Sequence, residues 1–132
     1  MTRYLGACAL LSLLAVPALA QEREQATIDF TDPAQVVTAI FHAARSGDAS
    51  ALPELCPPEG GNDGDTRNIC EMTTNHPEWD EFVSWFATGK LTGEATITDD
   101  RATVPFVFGP DGTSSEQMNL VRIDGRWYLS SF

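Results

Sequence analysis

The spacing of apolar residues changes once along this chain, near Gly89, and that change limits what it can fold into. Before Gly89 apolar residues recur at helical intervals. Asp32-Pro33-Ala34-Gln35 opens the first run: Asp32 can accept from free amides, Pro33 suits the first helical position, and Gln35 can reach back. Val36, Val37, Ile40, Phe41 and Ala44 continue it and Gly47 stops it. Asp48 restarts a shorter helix through Ala51, Leu52 and Leu55, broken by Pro57-Pro58. Asn75-His76-Pro77-Glu78 opens a third, in which Trp79, Phe82, Val83 and Phe86 share a face and which Gly89 ends. The intervening residues 57–74 are rich in Gly, Asn, Asp and Pro and read as a long loop.

After Gly89 the period is two. Leu91, Gly93, Ala95 and Ile97 alternate with Thr92, Glu94, Thr96 and Thr98, the pattern of one half-buried strand. Asp99-Asp100 turns into residues 102–108, where Val104, Phe106 and Phe108 share a face, and Pro105 marks an edge or a bulge. Gly109-Pro110-Asp111-Gly112 is a turn, residues 115–123 form the next strand, and Asp124-Gly125 is a hairpin signal leading into residues 126–130. The fold class is α+β: three N-terminal helices packed on a curved antiparallel sheet of about four strands. There is no internal repeat.

Near the start of the 132-residue chain Arg3, an apolar run from Tyr4 to Val16, and Ala18-Leu19-Ala20 together read as a secretory signal peptide over residues 1–20. The run is shorter than the roughly 20 residues needed to span a bilayer. Residues 21–31 then form a polar N-terminal extension and 32–132 a single domain, periplasmic or secreted, with no membrane insertion once the leader is removed. Of the eight Lys and Arg, Arg3 lies in the leader, leaving seven against nineteen Asp and Glu. That acidity argues against nucleic acid and anionic membranes, both of which are bound through basic patches. Cys8 also falls in the leader. Cys56 and Cys70 remain, an even pair outside the reducing cytosol, and are expected to form a disulfide. Without Cys-x-x-Cys spacing they suggest neither zinc nor redox chemistry.

Two stretches resemble a known family. Ala43-Ala44-Arg45-Ser46-Gly47-Asp48-Ala49-Ser50-Ala51-Leu52 resembles the helix, small-Gly-Asp, small-x-small-Leu segment of the nuclear transport factor 2-like superfamily. Met118-Asn119-Leu120-Val121-Arg122-Ile123-Asp124-Gly125-Arg126-Trp127-Tyr128-Leu129 resembles the terminal hairpin of its exported members. The resemblance implies a cone, a curved sheet wrapped around a long helix with a cavity between them. Its members include isomerases, dehydratases, cyclases, ligand binders and scaffolds, so function has to be argued from a site.

Isomerase chemistry on that fold uses a carboxylate base in an apolar pocket with a Tyr or protonated Asp as oxyanion donor. Glu116, in phase with Met118, is the one carboxylate placed for such a role; Glu94 is out of phase with Ala95 and Ile97. Tyr128 alternates against Trp127 and Leu129 and belongs to the opposite sheet face. His42 falls on the polar stripe Gln35, Thr38, His42, Arg45, and His76 before Pro77 reads as capping or loop structure. Asn62-Asp63-Gly64-Asp65 with Glu59 and Glu71 lacks calcium-loop spacing and reads as a flexible acidic loop. No catalytic residue, metal or cofactor is assigned.

The aromatic set is the strongest constellation. Phe41, Trp79, Phe82, Trp85, Phe86, Phe106, Phe108 and Met118 either line an apolar cavity for a small hydrophobic ligand or fill the core, and Trp85, off the main stripe, discriminates between the two. The opposite sheet face, with Thr96, Thr103, Pro105, Val107, Gln117, Asn119, Val121 and Tyr128, is poor in charge and suits a homodimer contact. The terminal Phe132 resembles the end of an outer-membrane barrel, which this strand content does not support. The expectation is an exported, non-enzymatic domain binding a small apolar ligand or a protein partner. A cavity-based isomerase or lyase, and an envelope component acting through dimerisation, are the alternatives.

Overall fold

The first helix forms where its start and stop signals lie. In this computed structural model, which describes residues 27–132, α1 runs Pro33–Ser46. The leader with its cleavage site, Cys8 and most of the 21–31 extension lie outside the described residues. Asp32 accepts from the Ala34 amide at 3.0 Å, and Gly47, at φ 72°, donates to the Ala43 carbonyl at 3.0 Å. Gln35 does reach back, but to the amide of Asp29 at 3.2 Å. Val36, Val37, Ile40 and Phe41 are buried, with His42 on the exposed side.

The second helical stretch is a single 3-10 turn, Leu52–Leu55, that buries Leu52 and Leu55. The expected loop that follows contains a further helix, α2, over Gly64–Glu71. Its apolar content is small; Asp63 starts it by accepting from the Thr66 amide at 2.8 Å, and Ile69 and Cys70 are its buried apolar residues. Cys70 stands at disulfide distance from Cys56, their Cα atoms 6.1 Å apart. The acidic segment read as flexible is therefore the capped start of a helix.

α3 spans Trp79–Phe86. Arg45 holds the segment just past its end: Nε donates to the Ala87 carbonyl at 2.9 Å, and the guanidinium also donates to the Gly89 carbonyl. Gly89, read as a helix stop, acts differently. Its Cβ position is occupied by the ring of Phe41, with Cγ 2.7 Å away and two other ring carbons nearer still. Only a hydrogen fits there, so the helix end is pressed onto α1. Gly89→Ala should destabilise by about 1–3 kcal/mol through overpacking, measured by urea unfolding. Adding Phe41→Leu should recover part of that loss.

The remainder is one antiparallel sheet of five strands, β1 Lys90–Leu91, β2 Thr96–Thr98, β3 Arg101–Phe108, β4 Ser114–Ile123 and β5 Arg126–Ser131. β4 and β5 follow β3 on one side, while β1 and β2 both pair with β3 on the other, so the sheet stays open. The expected single strand over 91–98 is broken because of Pro105. The Pro105 carbonyl accepts from Thr92 at 3.1 Å, but proline has no N–H to offer on that same edge. The partner strand leaves there and re-forms at Thr96. Helix contacts concentrate on β1, β3 and β5. β2 therefore buries nothing, and Ile97, expected on a half-buried face, is 52% exposed.

β3 alternates as expected, with Ala102, Val104, Phe106 and Phe108 buried. The Asp124-Gly125 hairpin has both turn residues at positive φ, 51° and 80°. In β5 all of Trp127, Tyr128 and Leu129 are buried. Tyr128 pairs with Val121 on the face away from Trp127, as the alternation predicts, yet it is only 7% exposed. That face is covered at one end: Arg126 stacks over the Phe30 ring at 4.0 Å and lies 5.6 Å from that of Tyr128. Residues 57 and 60–62 border Arg101, Val121, Ile123 and Ser130 around a hollow of about 190 Å³ on the same side.

Candidate functional site

One junction joins several elements through a single residue. Ser130 is the extra residue of a bulge in β5, since Leu120 pairs with Leu129 and Asn119 with Ser131. Its carbonyl accepts from the Asp63 amide at 2.9 Å, which brings the start of α2 to the sheet. The Asp63 carboxylate in turn accepts from the Thr66 amide at 2.8 Å, the Thr66 hydroxyl at 2.7 Å and the Phe132 amide at 3.2 Å. Buried Asn62 donates to the Thr66 hydroxyl at 2.9 Å and to Cys56 Sγ at 3.1 Å. Burial pushes the Asp63 carboxyl up, but the Thr66 and Phe132 hydrogen bonds, with Arg67 nearby, outweigh it and hold it below the ordinary carboxylate value.

A depressed folded pKa means that the stabilisation is full above the unfolded value of about 4 and is lost as pH falls through the folded one. Asp63→Ala should therefore cost about 0.5–2 kcal/mol at neutral pH. Asp63→Asn should lose less stability than the wild type between pH 5 and pH 3, roughly the window set by that unfolded value. Thermal melts across that range check both.

This junction fixes α2 to β5 and leaves a groove of about 280 Å³ lined by α2, α3, the end of β3 and Phe132. Its apolar wall comes from Ile69 and Met72 on the α2 side, Phe82, Trp85 and Phe86 on α3, Phe108 on β3, and Phe132. Its polar rim is Asp65, Asn68, Glu78 and Glu81, all exposed. The rings form a connected series. Trp79 stacks on Phe82 with centroids 5.3 Å apart, Phe82 meets Phe86 at 4.9 Å, Phe86 meets Phe108 at 5.2 Å, Phe108 meets Phe106 at 5.2 Å, and Phe106 meets Phe41 at 5.7 Å. Phe132 joins them at 6.0–6.2 Å from Phe86, Phe106 and Phe108.

The aromatic residues singled out in the sequence thus divide. Phe41, Phe106 and Met118 are fully buried core and do not line this groove; Trp79 is half-buried beside it. Phe82, Trp85, Phe86 and Phe108 line the groove. Trp85 is 37% exposed, 5.1 Å from Phe108, and its carbonyl accepts from the Gly109 amide at 2.8 Å. That bond ties the last turn of α3 to the β3–β4 turn and holds the indole at the groove's edge. Ile69, Met72 and Phe132 were not assigned to a cavity from sequence. The first two lie on or beside a helix that composition concealed, and the third folds back through the hydrogen bond that its backbone amide donates to the Asp63 carboxylate.

The ionisable candidates are scattered. Glu116 pairs in register with Phe106 but is exposed, in a separate shallow hollow with Thr92, Pro105 and Gln117. His42 is exposed beside a hollow of about 300 Å³ that includes Ile28, Ala39, Asp48 and Ala51. His76 Nδ1 accepts from the Glu78 amide at 3.0 Å in the loop just ahead of α3, whose N-cap, Glu78, has no side-chain capping bond. Among the described residues the buried polar side chains besides Tyr128 are Asn62 and Thr66, and no three His, Cys, Asp or Glu gather as a metal site.

On the outer sheet face Thr96, Gln117 and Asn119 are exposed, while Thr103, Pro105, Val107 and Val121 are half-buried. Asn119 links Thr103 at 3.2 Å to Ser131 at 3.1 Å across three strands. None of the helices among the described residues is long and apolar enough to cross a membrane. No protein-family model, curated protein or solved structure matches this chain at a level that would show a family.

Proposed function

We propose that this chain is an exported, non-enzymatic binding domain of the nuclear transport factor 2-like cone type, and that the groove between α2, α3 and the sheet receives a small apolar ligand in the periplasm or outside the cell. The observation that carries this reading is the aromatic wall that ends at a half-exposed Trp85 above an open hollow. A ring edge held there by backbone contacts can meet a ligand without rearrangement, which keeps the ordering cost of binding low. The order of helices and sheet supports the cone reading, and cysteines at disulfide distance suit an oxidising compartment. Among the described residues the groove's carboxylates, Asp65, Glu78 and Glu81, stand at its exposed rim.

The test is titration with the neutral fluorophore N-phenyl-1-naphthylamine. Wild-type protein should enhance its emission saturably. Trp85→Ala should weaken binding about tenfold, which corresponds to about 1.4 kcal/mol. Asn68→Trp, at an exposed position on the rim, should block it without touching the core. Equal binding by all three proteins, or none by the wild type, would overturn the assignment.

A further inference from the structure

The groove carries charge of one sign only. Its ionisable lining residues are Asp65 from α2 and Glu78 and Glu81 at the start of α3, and no Lys, Arg or His is among its lining residues. Among the described residues these carboxylates have no cationic partner: the ion pair there is Arg122–Asp100, elsewhere on the sheet. Each sits in or just before the first turn of its helix, where the helix dipole favours a negative charge. The two helices thus hold three like charges around one apolar opening at little cost to the fold. The whole chain, at formal charge −11, adds a field of the same sign.

We infer that the ligand of this groove is a small organic cation: an aromatic or short aliphatic body seated on Trp85, Phe86 and Phe108, bearing an ammonium group at the rim beside Glu78 and Glu81. This rests on the reading of the groove as a ligand site. The chemistry matches on both counts. An apolar body is driven onto the rings by burial. An ammonium at the edge gains both from the carboxylates and from the negative face of the indole, the best of the side-chain rings for a cation. A carboxylate or sulfonate ligand would meet repulsion from three sides. The hollow, of about 280 Å³, suits a compact molecule.

Calorimetric titration with three matched probes tests this: benzyltrimethylammonium, its neutral isostere neopentylbenzene, and benzoate. The cation should bind about tenfold tighter than the isostere, benzoate should not bind, and added salt should narrow the gap. The Glu78→Gln/Glu81→Gln protein, changed only at exposed positions, should keep its fold by circular dichroism. It should bind the isostere as before and lose most of its preference for the cation. Equal binding of cation and isostere by the wild type would overturn the cationic ligand and leave the apolar groove standing. Binding of none of the probes, the neutral fluorophore included, would overturn both. Cation binding unaffected by either the double variant or Trp85→Ala would place it elsewhere and overturn the inference. An apparent affinity that falls as protein concentration rises would mean that a second copy fills the groove, and would overturn it too.

Discussion

Phe106→Ala should lower the stability of this protein by about 3–5 kcal/mol, the largest loss expected from any single truncation on β3. Phe106 is fully buried at the centre of the sheet, and its ring meets Phe41 on α1, Phe108 on its own strand and Phe132. Helices and sheet are joined through it. Truncation leaves a cavity bounded by β1 and β4 through backbone pairing, so its walls cannot collapse inward. Domains of this size are stable by about 5–15 kcal/mol in total, so the variant should unfold at a far lower urea concentration with an unchanged slope. A loss below about 1 kcal/mol would be well short of the usual range and would show that the ring is not packed as described.

The second large effect is expected from the cysteines. Replacing Cys56 and Cys70 together by serine should cost about 3 kcal/mol in the chain-entropy account of a loop of this length. The loss should fall unevenly. α2 buries Ile69 and Cys70 and is otherwise held by the Asp63 cap and the Asn62–Thr66 contacts. Without the cross-link, its amides should exchange with solvent well before those of β3 and β4, a local opening in the sense of partial unfolding. Since α2 supplies one wall of the groove, binding of the neutral fluorophore should weaken under reducing conditions that leave the sheet intact. Uniform exchange across α2 and the sheet would contradict this division.

What was legible in the sequence follows from where each element gets its stability. α1 announces itself through Asp32, Pro33 and Gly47 because its ends are closed by its own residues. α3 and β3 announce themselves through apolar spacing because one face of each is buried. α2 does neither: its cap lies inside an acidic, glycine-rich stretch, and a covalent tie does the work that apolar residues do elsewhere. The break between β1 and β2 was equally hidden, because its cause sits on the opposite strand at Pro105. Gly89 was visible as punctuation, but its role, the seat of the Phe41 ring, depends on a contact across 48 residues. The groove was half legible for the same reasons. Its α3 and β3 rings were named from their spacing, and its α2 wall and Phe132 were not.

The two rims of the sheet bear on how this chain behaves when crowded. Along the outer rim of β5, the Trp127 amide is taken by the Phe30 carbonyl, the Ser130 carbonyl by the Asp63 amide, and the Phe132 amide by the Asp63 carboxylate. The opposite rim is cut at Pro105 into pieces of two and three residues. Neither margin offers a neighbouring molecule a continuous ladder to zip onto. Growth into fibrils by stacking one sheet onto the next is thereby discouraged from both directions.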